Sequence, residues 1–229
     1  MIMHGDTVMS DAEEQKQRSA KKAASYVKDG MVLGLGTGST VRWLIEELGT
    51  RKDLTHLKII SSSKDSQQRA QQYGLHIIEP KLVDHIDLVI DGVDQIDEQK
   101  QVIKGGGGAL VREKILAEAA EHIIWIMDAS KRVSTIEAYP LPVEIVPFSL
   151  PFVIRRLKAK GYTVKQRQQD GQAYCSDNRN FILDVLLPKN RLLCEAHEEL
   201  RHIAGVVETG YFCMDAACVT ASAKELLIW

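Results

Sequence analysis

Four short apolar runs, each ending in a cluster of small or polar residues, constrain the fold of this 229-residue chain more than any other feature. The runs are residues 31–35, 57–60, 86–90 and 123–127. Segments of helical length separate them, and this alternation is typical of a parallel sheet covered by helices. Ligands of such sheets bind beyond the carboxyl ends of the strands, so the polar clusters at those ends predict a functional site.

The pattern changes near residue 140. The later segments read as a strand at 143–146, a helix at 151–160, strands at 162–167 and 181–187, and a helix at 195–203. This order predicts a small α+β domain inserted late in the chain. We therefore expect an α/β fold in which residues 1–135 and 206–229 form the parallel-sheet domain and residues 136–205 form the small domain.

The amino-terminal segment contains one clear helix signal. A capping-box pattern at Ser10–Glu13 predicts that a helix begins there, and Gly30 is expected to end it. Residues 1–9 are expected to be a loose tail or to precede a start at Met9.

Composition places the chain among globular proteins and excludes several classes of function. Its net charge of −2 gives no indication of affinity for nucleic acid or membranes. Apolar runs stay well short of a membrane span, and the amino terminus lacks a signal-peptide pattern. The four cysteines, Cys175, Cys194, Cys213 and Cys218, lack metal-site spacing, which favours buried or half-buried thiols in a reducing compartment and hence a cytoplasmic location.

Two glycine-rich segments suggest places where backbone meets a ligand. Lys104 precedes four consecutive glycines, which are entropically costly unless the backbone must approach something closely. A helix-forming run follows, so the segment predicts an anion-facing loop at a helix N-terminus, with a flexible hairpin tip as the alternative. Residues 36–40, Gly-Thr-Gly-Ser-Thr, predict a phosphate cradle or else an ordinary tight turn. They match neither a P-loop nor a complete dinucleotide fingerprint.

Four charged residues in these loops are candidates for chemistry. Asp91 and Asp94 could hold sugar hydroxyls or a metal, or could simply cap a strand and a turn; a metal would need further ligands. Lys104 could stabilise an oxyanion, and Glu113, in the helix after the glycines, could act as a base. Together they suggest proton abstraction beside a carbonyl. We expect Lys104 to lower the pKa of Glu113 and keep it ionised at neutral pH.

The motifs GLGTGST, DGVD, KGGGGALVREK, MDASK and LPVE occur in this order, and the set resembles the type A ribose-5-phosphate isomerase family over most of the chain. The resemblance implies a Rossmann-like domain with a smaller ferredoxin-like domain, assembled as a homodimer or homotetramer. It also implies interconversion of ribose 5-phosphate and ribulose 5-phosphate through an enediolate, in the non-oxidative pentose phosphate pathway, without a metal or organic cofactor.

The resemblance assigns roles to individual residues. Glu113 matches the general base, while Asp91, Asp94 and Lys104 match the residues that hold the sugar hydroxyls and carbonyl, Asp91 being a candidate for assisting ring opening. Further matches to substrate-binding positions are Thr37, Gly38, Ser39, Thr40, Gly92, Val93, Gly105, Gly106, Gly107 and Lys131. The chain departs from the family pattern at Gln95, Gly108, Val111 and the segment 212–215.

Two other functions remain open on this scaffold. A sugar-phosphate deaminase or lactonase could share the Gly-Thr-Gly-Ser-Thr loop, but a deaminase is expected to need a histidine close to the Asp91 loop. A non-catalytic sugar-phosphate sensor would tolerate the loss of Glu113 or Lys104 and would often carry a DNA-binding region. The retained Lys104 and Glu113 favour catalysis, although residues alone do not prove turnover.

Overall fold

The computed structural model describes residues 10–137 and 139–229, so the expectations for residues 1–9 lie outside the described part. The helices are α1 (Asp11–Ala24), α2 (Ser39–Thr50), α3 (Lys64–Gln72), α4 (Leu110–Ala119), α5 (Leu150–Ala159) and α6 (Leu193–Arg201), with 3-10 turns at Pro80–Leu82, Ala129–Lys131 and Pro147–Ser149. The strands are β1 (Val32–Leu35), β2 (Lys58–Ser61), β3 (Ile86–Gly92), β4 (Gln95–Ile96), β5 (Val102–Ile103), β6 (Ala120–Asp128), β7 (Leu141–Ile145), β8 (Thr163–Gln166), β9 (Gln168–Gln169), β10 (Gln172–Ala173), β11 (Phe181–Leu186), β12 (Val206–Thr209), β13 (Tyr211–Phe212), β14 (Ala217–Ala221) and β15 (Leu226–Ile228).

The large sheet has the strand order β15-β14-β6-β3-β1-β2 and is parallel except for β15. Strands β1, β3, β6 and β14 are largely buried on both faces, as their continuous apolar character predicts, whereas the edge strand β15 is exposed at Leu227 and Ile228. In β6, Ile124 and Ile126 pack into the core under α1 and α2, whereas Trp125 and Met127 pack into the core under α4. The predicted helix-covered parallel sheet is confirmed.

The first helix begins where its capping box predicts and ends earlier than expected. Ser10 Oγ accepts a hydrogen bond from the Glu13 amide, 3.4 Å away. The helix stops at Ala24 rather than at Gly30. Arg51 donates to the carbonyl oxygen of Ala24 at 3.0 Å, so a side chain from α2's far end satisfies a carbonyl that another helical turn would have bonded.

The small sheet is antiparallel in the order β12-β7-β11-β8, with α5 and α6 packed on its core. The chain order β7-α5-β8-β11-α6-β12 matches the predicted α+β arrangement and adds one strand. Strand β12 pairs with β7, Val206 lying opposite Ile145, so the chain does not return to the large sheet at residue 206 as expected. It does so at β14, which pairs with β6.

A third sheet, β13-β5-β4, joins the two larger ones. Lys104 follows β5 directly, and its amide donates to the carbonyl oxygen of Gly210 at 2.8 Å. The amide of Gly210 in turn donates to Pro142, in the small sheet's β7, at 2.7 Å. These backbone bonds fix the position of Lys104 relative to both sheets. None of the helices in the described residues is long and apolar enough to cross a membrane.

Candidate active site

The parallel strands of the large sheet bring the predicted loops to one edge. The carboxyl ends of β1, β2 and β6 lead respectively into residues 36–40, Ser62 and the turn that contains Lys131, and β3 ends at Asp91 and Gly92 and leads into the loop with Asp94. Because parallel neighbours end on the same side, these four loops face a common space. The candidate site is therefore a product of the sheet topology, with α4 adding Glu113 from above the sheet.

Lys104 lies at the centre of the site between two carboxylates. Its Nζ is 2.9 Å from Asp91 Oδ2 and 3.2 Å from Glu113 Oε1, and it donates to the carbonyl oxygen of Gly92 at 2.5 Å. The exposed fractions are 2% for Lys104, 1% for Asp91 and 4% for Glu113. A buried ammonium group is stable only when its N–H donors are matched, and here three acceptors match the three donors.

Two aromatic rings complete the surroundings of this lysine. The centroids of Trp125 and Phe212 lie 5.6 Å and 5.8 Å from Lys104 Nζ, and the rings meet edge to face at 6.0 Å. They exclude water from one side of the ion pair while their electron-rich faces favour the positive charge. Phe212 belongs to the segment 212–215 that departs from the family pattern, and its ring lies beside Lys104.

Glu113 presents one free carboxylate oxygen in the first turn of α4. Its Oε1 contacts Lys104, whereas its Oε2 is buried and meets no hydrogen-bond partner among the described residues. Burial, aided by the nearby charge of Asp91 and opposed by Lys104, raises the pKa of Glu113 to about 8. Lys104 acts on this pKa in the expected direction, but the expectation that Glu113 is therefore ionised at neutral pH is wrong, because desolvation and a second carboxylate outweigh one ammonium group.

Asp91 is held by backbone as well as by Lys104. Its Oδ1 accepts hydrogen bonds from the amides of Thr37 at 3.0 Å and Gly92 at 2.6 Å. Burial raises the pKa of Asp91, against the opposing effects of Lys104 and these amides. A Cβ at Gly36 would collide with the Asp91 carboxylate, so glycine is required there for the two strand ends to meet.

The loop of residues 36–40 connects β1 to α2 and remains accessible at its tip. Gly38 adopts a φ of +120° and precedes the first residue of α2, Ser39; both are exposed, whereas Thr40 is buried. Thr37 Oγ1 and Ser62 Oγ lie 2.8 Å apart, which joins this loop to the end of β2. An exposed helix N-terminus lined by hydroxyl groups suits a phosphate.

The glycine loop, residues 105–108, passes between Asp94 and the small domain. The amide of Gly106 donates to Asp94 Oδ2 at 2.6 Å, and a Cβ at Gly106 would lie 2.6 Å from the other carboxylate oxygen. Gly105 has a φ of +101°. A Cβ at Gly107 would lie 3.5 Å from the Thr37 methyl group, so this loop approaches the loop of residues 36–40. Buried Val93 separates Asp91 from Asp94.

One predicted residue is not connected to the cluster. Lys131 is half-buried in the turn after β6, where Asp128 accepts a hydrogen bond from the amide of Ser130 at 3.0 Å. Within residues 10–137 and 139–229, Lys131 makes no hydrogen bond or ion pair to the groups around Lys104. Its strand end places it at the same edge of the sheet, at the rim of the site.

The small domain supplies site residues that the sequence did not identify. Ser62 and Gly36 are different, because the sequence marks the serine triplet and the loop of residues 36–40 at strand ends without giving either residue a role of its own. Arg167 and Tyr174 reach the glycine loop from the small domain, where Arg167 donates to the carbonyl oxygen of Gly105 at 2.6 Å and Tyr174 to that of Gly107 at 3.2 Å. Nothing in their local sequence indicates these long-range contacts.

A buried ammonium group between two carboxylates, one with a free oxygen, at the ligand edge of a parallel sheet defines an α/β enzyme that moves a proton beside a carbonyl group. The family model described as ribose 5-phosphate isomerase A (phosphoriboisomerase A) matches residues 58–225, most of the chain. The chain therefore belongs to the ribose 5-phosphate isomerase A family.

Individual relatives agree with this assignment. The chain is 41% identical over 205 residues to ribose-5-phosphate isomerase A of Limosilactobacillus reuteri, covering 88% of this chain and 90% of the relative. It is 42% identical over 200 residues to the Bacillus mycoides protein of the same name, covering 86% and 90%. The solved structure of ribose 5-phosphate isomerase A from Methanocaldococcus jannaschii superposes with a TM-score of 0.89 at 34% identity, covering 95% of this chain and 98% of that one.

Proposed function

We propose that this chain interconverts D-ribose 5-phosphate and D-ribulose 5-phosphate in the non-oxidative pentose phosphate pathway. The observation that carries the proposal is the pairing of Lys104 with Glu113, whose second oxygen is free and whose pKa of about 8 suits a base that must both take and return a proton. A solved D-ribose-5-phosphate isomerase in complex with phospho-erythronic acid superposes with a TM-score of 0.90 at 30% identity, which supports a sugar-phosphate ligand here.

Glu113 acts as the base and then as the acid. It removes the proton from C2 of the open-chain aldose, the C–H electron pair forms the C1–C2 double bond, and the carbonyl oxygen on C1 takes the negative charge. The hydroxyl proton on O2 then moves to O1, and Glu113 returns its proton to C1 to give the ketose. One carboxyl group therefore serves both proton transfers. A carboxylate is a weak base, but its position beside both C1 and C2 compensates for this.

Lys104 stabilises the enediolate oxygen. Its three donors are engaged, and the contact with Glu113 at 3.2 Å is the longest. Protonation of Glu113 weakens that contact, so the donor becomes available to the substrate oxygen when negative charge develops there. The stabilisation then appears in the transition state more than in the ground state, which raises turnover.

The remaining groups hold the sugar phosphate. Asp91 assists opening of the sugar ring, and Asp94 binds a hydroxyl group. Backbone and hydroxyl groups around the site form the rest of the binding surface, namely Thr37, Gly38, Ser39, Thr40, Gly92, Val93, Gly105, Gly106, Gly107 and Lys131. The exposed N-terminus of α2 at Gly38–Ser39 is the phosphate site, because its free N–H groups and dipole favour an anion.

The proposal extends to location and assembly. We place the enzyme in the cytoplasm, as a homodimer or homotetramer that binds a sugar phosphate. The four cysteines are free thiols in the described structure; Cys218 is buried, whereas Cys175, Cys194 and Cys213 are exposed, against the expectation that all four are at least half-buried. Among residues 10–137 and 139–229, no cluster of three or more histidine, cysteine or acidic side chains could hold a metal ion.

The test is conversion of ribose 5-phosphate by the purified chain after treatment with EDTA. Formation of ribulose 5-phosphate at enzymatic rates supports the proposal, and insensitivity to EDTA excludes an essential exchangeable metal. Binding of ribose 5-phosphate without conversion favours the sensor, and deamination of an amino-sugar phosphate favours the deaminase; either result overturns the isomerase.

A further inference from the structure

A hairpin of the small domain holds the outer side of the glycine loop. This clamp hairpin, residues 167–174, contains β9 and β10 and is closed by a backbone hydrogen bond of 3.0 Å from Tyr174 to the carbonyl oxygen of Arg167. Arg167 Nη1 donates to the carbonyl oxygens of Gly105 at 2.6 Å and Gly106 at 3.1 Å. The hairpin therefore binds the glycine loop, residues 105–108, on the side opposite Asp94 and Thr37.

Arg167 and Asp94 bind opposite sides of one peptide group. The carbonyl oxygen of Gly105 and the amide of Gly106 belong to the same trans peptide, in which C=O and N–H point in opposite directions. Arg167 binds the oxygen of this peptide, and Asp94 Oδ2 accepts from its amide at 2.6 Å. The chain Arg167–peptide–Asp94 thus fixes the rotation of the peptide and the place of the carboxylate together. A positive charge on the carbonyl also polarises the amide, which strengthens its bond to Asp94.

Arg167 is itself oriented by a second carboxylate. Its Nε donates to Asp184 Oδ2 at 3.1 Å, and its Nη2 pairs with the other oxygen of Asp184, so the guanidinium is bound in a two-point geometry. The exposed fraction of the side chain is 16% for Arg167 and 24% for Asp184. A planar group held in this way has little freedom left, and lysine cannot reproduce its fork of donors.

We propose that Arg167 is a positioning residue for the isomerase reaction, setting Asp94 for the sugar hydroxyl through the Gly105–Gly106 peptide. This inference rests on the proposed function of the same site. With this role for Arg167, the small domain takes part in substrate binding. Arg167 follows β8 directly, and it positions Asp94, whose carboxylate lies on the loop after β3. A sugar hydroxyl that takes no part in the proton transfer is the same in the ground and transition states, so we expect the loss of Arg167 to raise mainly KM.

A double-mutant cycle between Arg167 and Asp94 tests the inference. Arg167→Met and Asp94→Ala should each lower kcat/KM by about tenfold or more, mainly through a higher KM, as expected for loss of a hydrogen bond to a charged group. In the Asp94→Ala background, Arg167→Met should cause less than about a twofold further loss, because its effect passes through Asp94. Multiplying effects would overturn the inference. Arg167→Lys should recover only part of the loss.

Hydrogen exchange at the Gly106 amide gives a second measurement that does not need activity. The variant for this measurement is Arg167→Lys, which keeps the positive charge and can be used even if Arg167→Met does not fold. In Arg167→Lys, exchange of the Gly106 amide should be about tenfold faster, while the amides of β8 and β11 stay protected. Unchanged protection at Gly106 would contradict the inference. Arg191→Met is the matched control, since it removes a small-domain arginine paired with Glu199 and should leave KM unchanged. If the wild type converts no ribose 5-phosphate, the proposed function fails, while the exchange measurement still tests the contact.

Discussion

Glu113 illustrates how one side chain can be both buried and reactive. Burial together with Asp91 favours its neutral form, while Lys104 keeps the charged form accessible, so its pKa is raised to about 8. Burial raises the pKa of Asp91 as well, but both of its oxygens are engaged, by two backbone amides and by a shorter lysine contact. Two carboxylates on one lysine therefore take different roles, the proton carrier being the one with a free oxygen.

The first prediction concerns the base itself. Glu113→Gln should lower kcat by at least about a thousandfold, because an amide of nearly the same shape accepts no proton, while ribose 5-phosphate binding stays within a few-fold. Steady-state rates with calorimetric measurement of substrate binding check both parts. Near-normal turnover in this variant would remove Glu113 from the role of base.

The second prediction concerns pH. Because the pKa of Glu113 is raised in the folded protein, the base is mostly protonated below about pH 8 and becomes active as pH rises. We expect kcat/KM to increase about tenfold per pH unit below 8 and to level off above it, since kcat/KM reports groups of the free enzyme. Rates should be fitted above the pH range in which the substrate phosphate titrates, near 6. An acidic limb centred near 4 to 5 would show that Glu113 titrates as an ordinary carboxyl group.

At the scale of elements, the glycine loop and the clamp hairpin fit each other through Gly108 and Tyr174. Gly108 has a φ of +78°, and a Cβ there would overlap with the ring and hydroxyl of Tyr174. Glycine at position 108 thus makes room for a tyrosine whose hydroxyl donates to the carbonyl oxygen of Gly107. In this chain, the departure from the family pattern at Gly108 therefore goes with a close fit to Tyr174.

The third prediction separates the two effects of a methyl group at Gly108. Gly108→Ala should destabilise the fold by about 1 kcal/mol from its left-handed backbone and by about 1–3 kcal/mol more from the collision. Gly74→Ala, at φ +74° with open space around it, should show the backbone effect alone. Urea unfolding of both variants, with Gly108→Ala repeated in a Tyr174→Ala background, checks this. Equal costs for the two alanines, or additive effects with Tyr174→Ala, would contradict the proposed fit.

Local sequence predicts the elements better than it predicts their partners. The apolar runs indicate β1, β2, β3 and β6, and their carboxyl ends identify the loops around Lys104, because strand burial and loop composition are local properties. The first helix ends early in a tighter turn, in which the Val27 amide binds the carbonyl oxygen of Ala24 at 3.2 Å, and Arg51, distant in sequence, binds the same oxygen. Likewise, β12 joins the small sheet through pairing with β7, a contact that short apolar runs after residue 206 do not reveal.

The same limit applies to the site. Residue type and spacing predict that Asp91, Lys104 and Glu113 meet, but the pKa of Glu113 depends on burial and on a second carboxylate, which only the folded geometry provides. Arg167 and Tyr174 lie in a segment of ordinary polar sequence, and their contacts with residues 105–107 cross from one domain to the other. The sequence therefore predicted Asp91, Lys104 and Glu113, and it did not predict Arg167 and Tyr174 of the small domain.

For the whole molecule, α4 is the element on which both domains converge. It packs against β3 and β6 of the large sheet and against β7 and β12 of the small sheet. Arg112 donates to Asn178 at 2.8 Å, and Lys114 donates to Glu208 at 3.0 Å and to the carbonyl oxygen of Thr209 at 2.9 Å. The base Glu113 lies between these two anchors, so the arrangement of the domains determines where the base stands.

The last prediction tests this junction through Lys114, which is 6% exposed and whose ammonium group lies 4.8 Å from the Phe212 ring centroid. Lys114→Met keeps the length of the side chain but removes the hydrogen bonds that Lys114 donates to Glu208 and to the carbonyl oxygen of Thr209. Glu208 keeps the Thr209 amide at 2.7 Å and Arg201 at 3.8 Å, so we expect a loss of about 2 kcal/mol, the cost of a hydrogen bond to a charged group. For a chain of this size that lowers Tm by about 4–8 °C. It should also lower kcat, because α4 is no longer fixed to β12. Calorimetry and steady-state kinetics check these effects. The control is Lys21→Met, at an exposed position of α1, which should change neither Tm nor kcat. A Lys114→Met protein with the Tm and kcat of the wild type would show that the packing of α4 alone holds the domains in place.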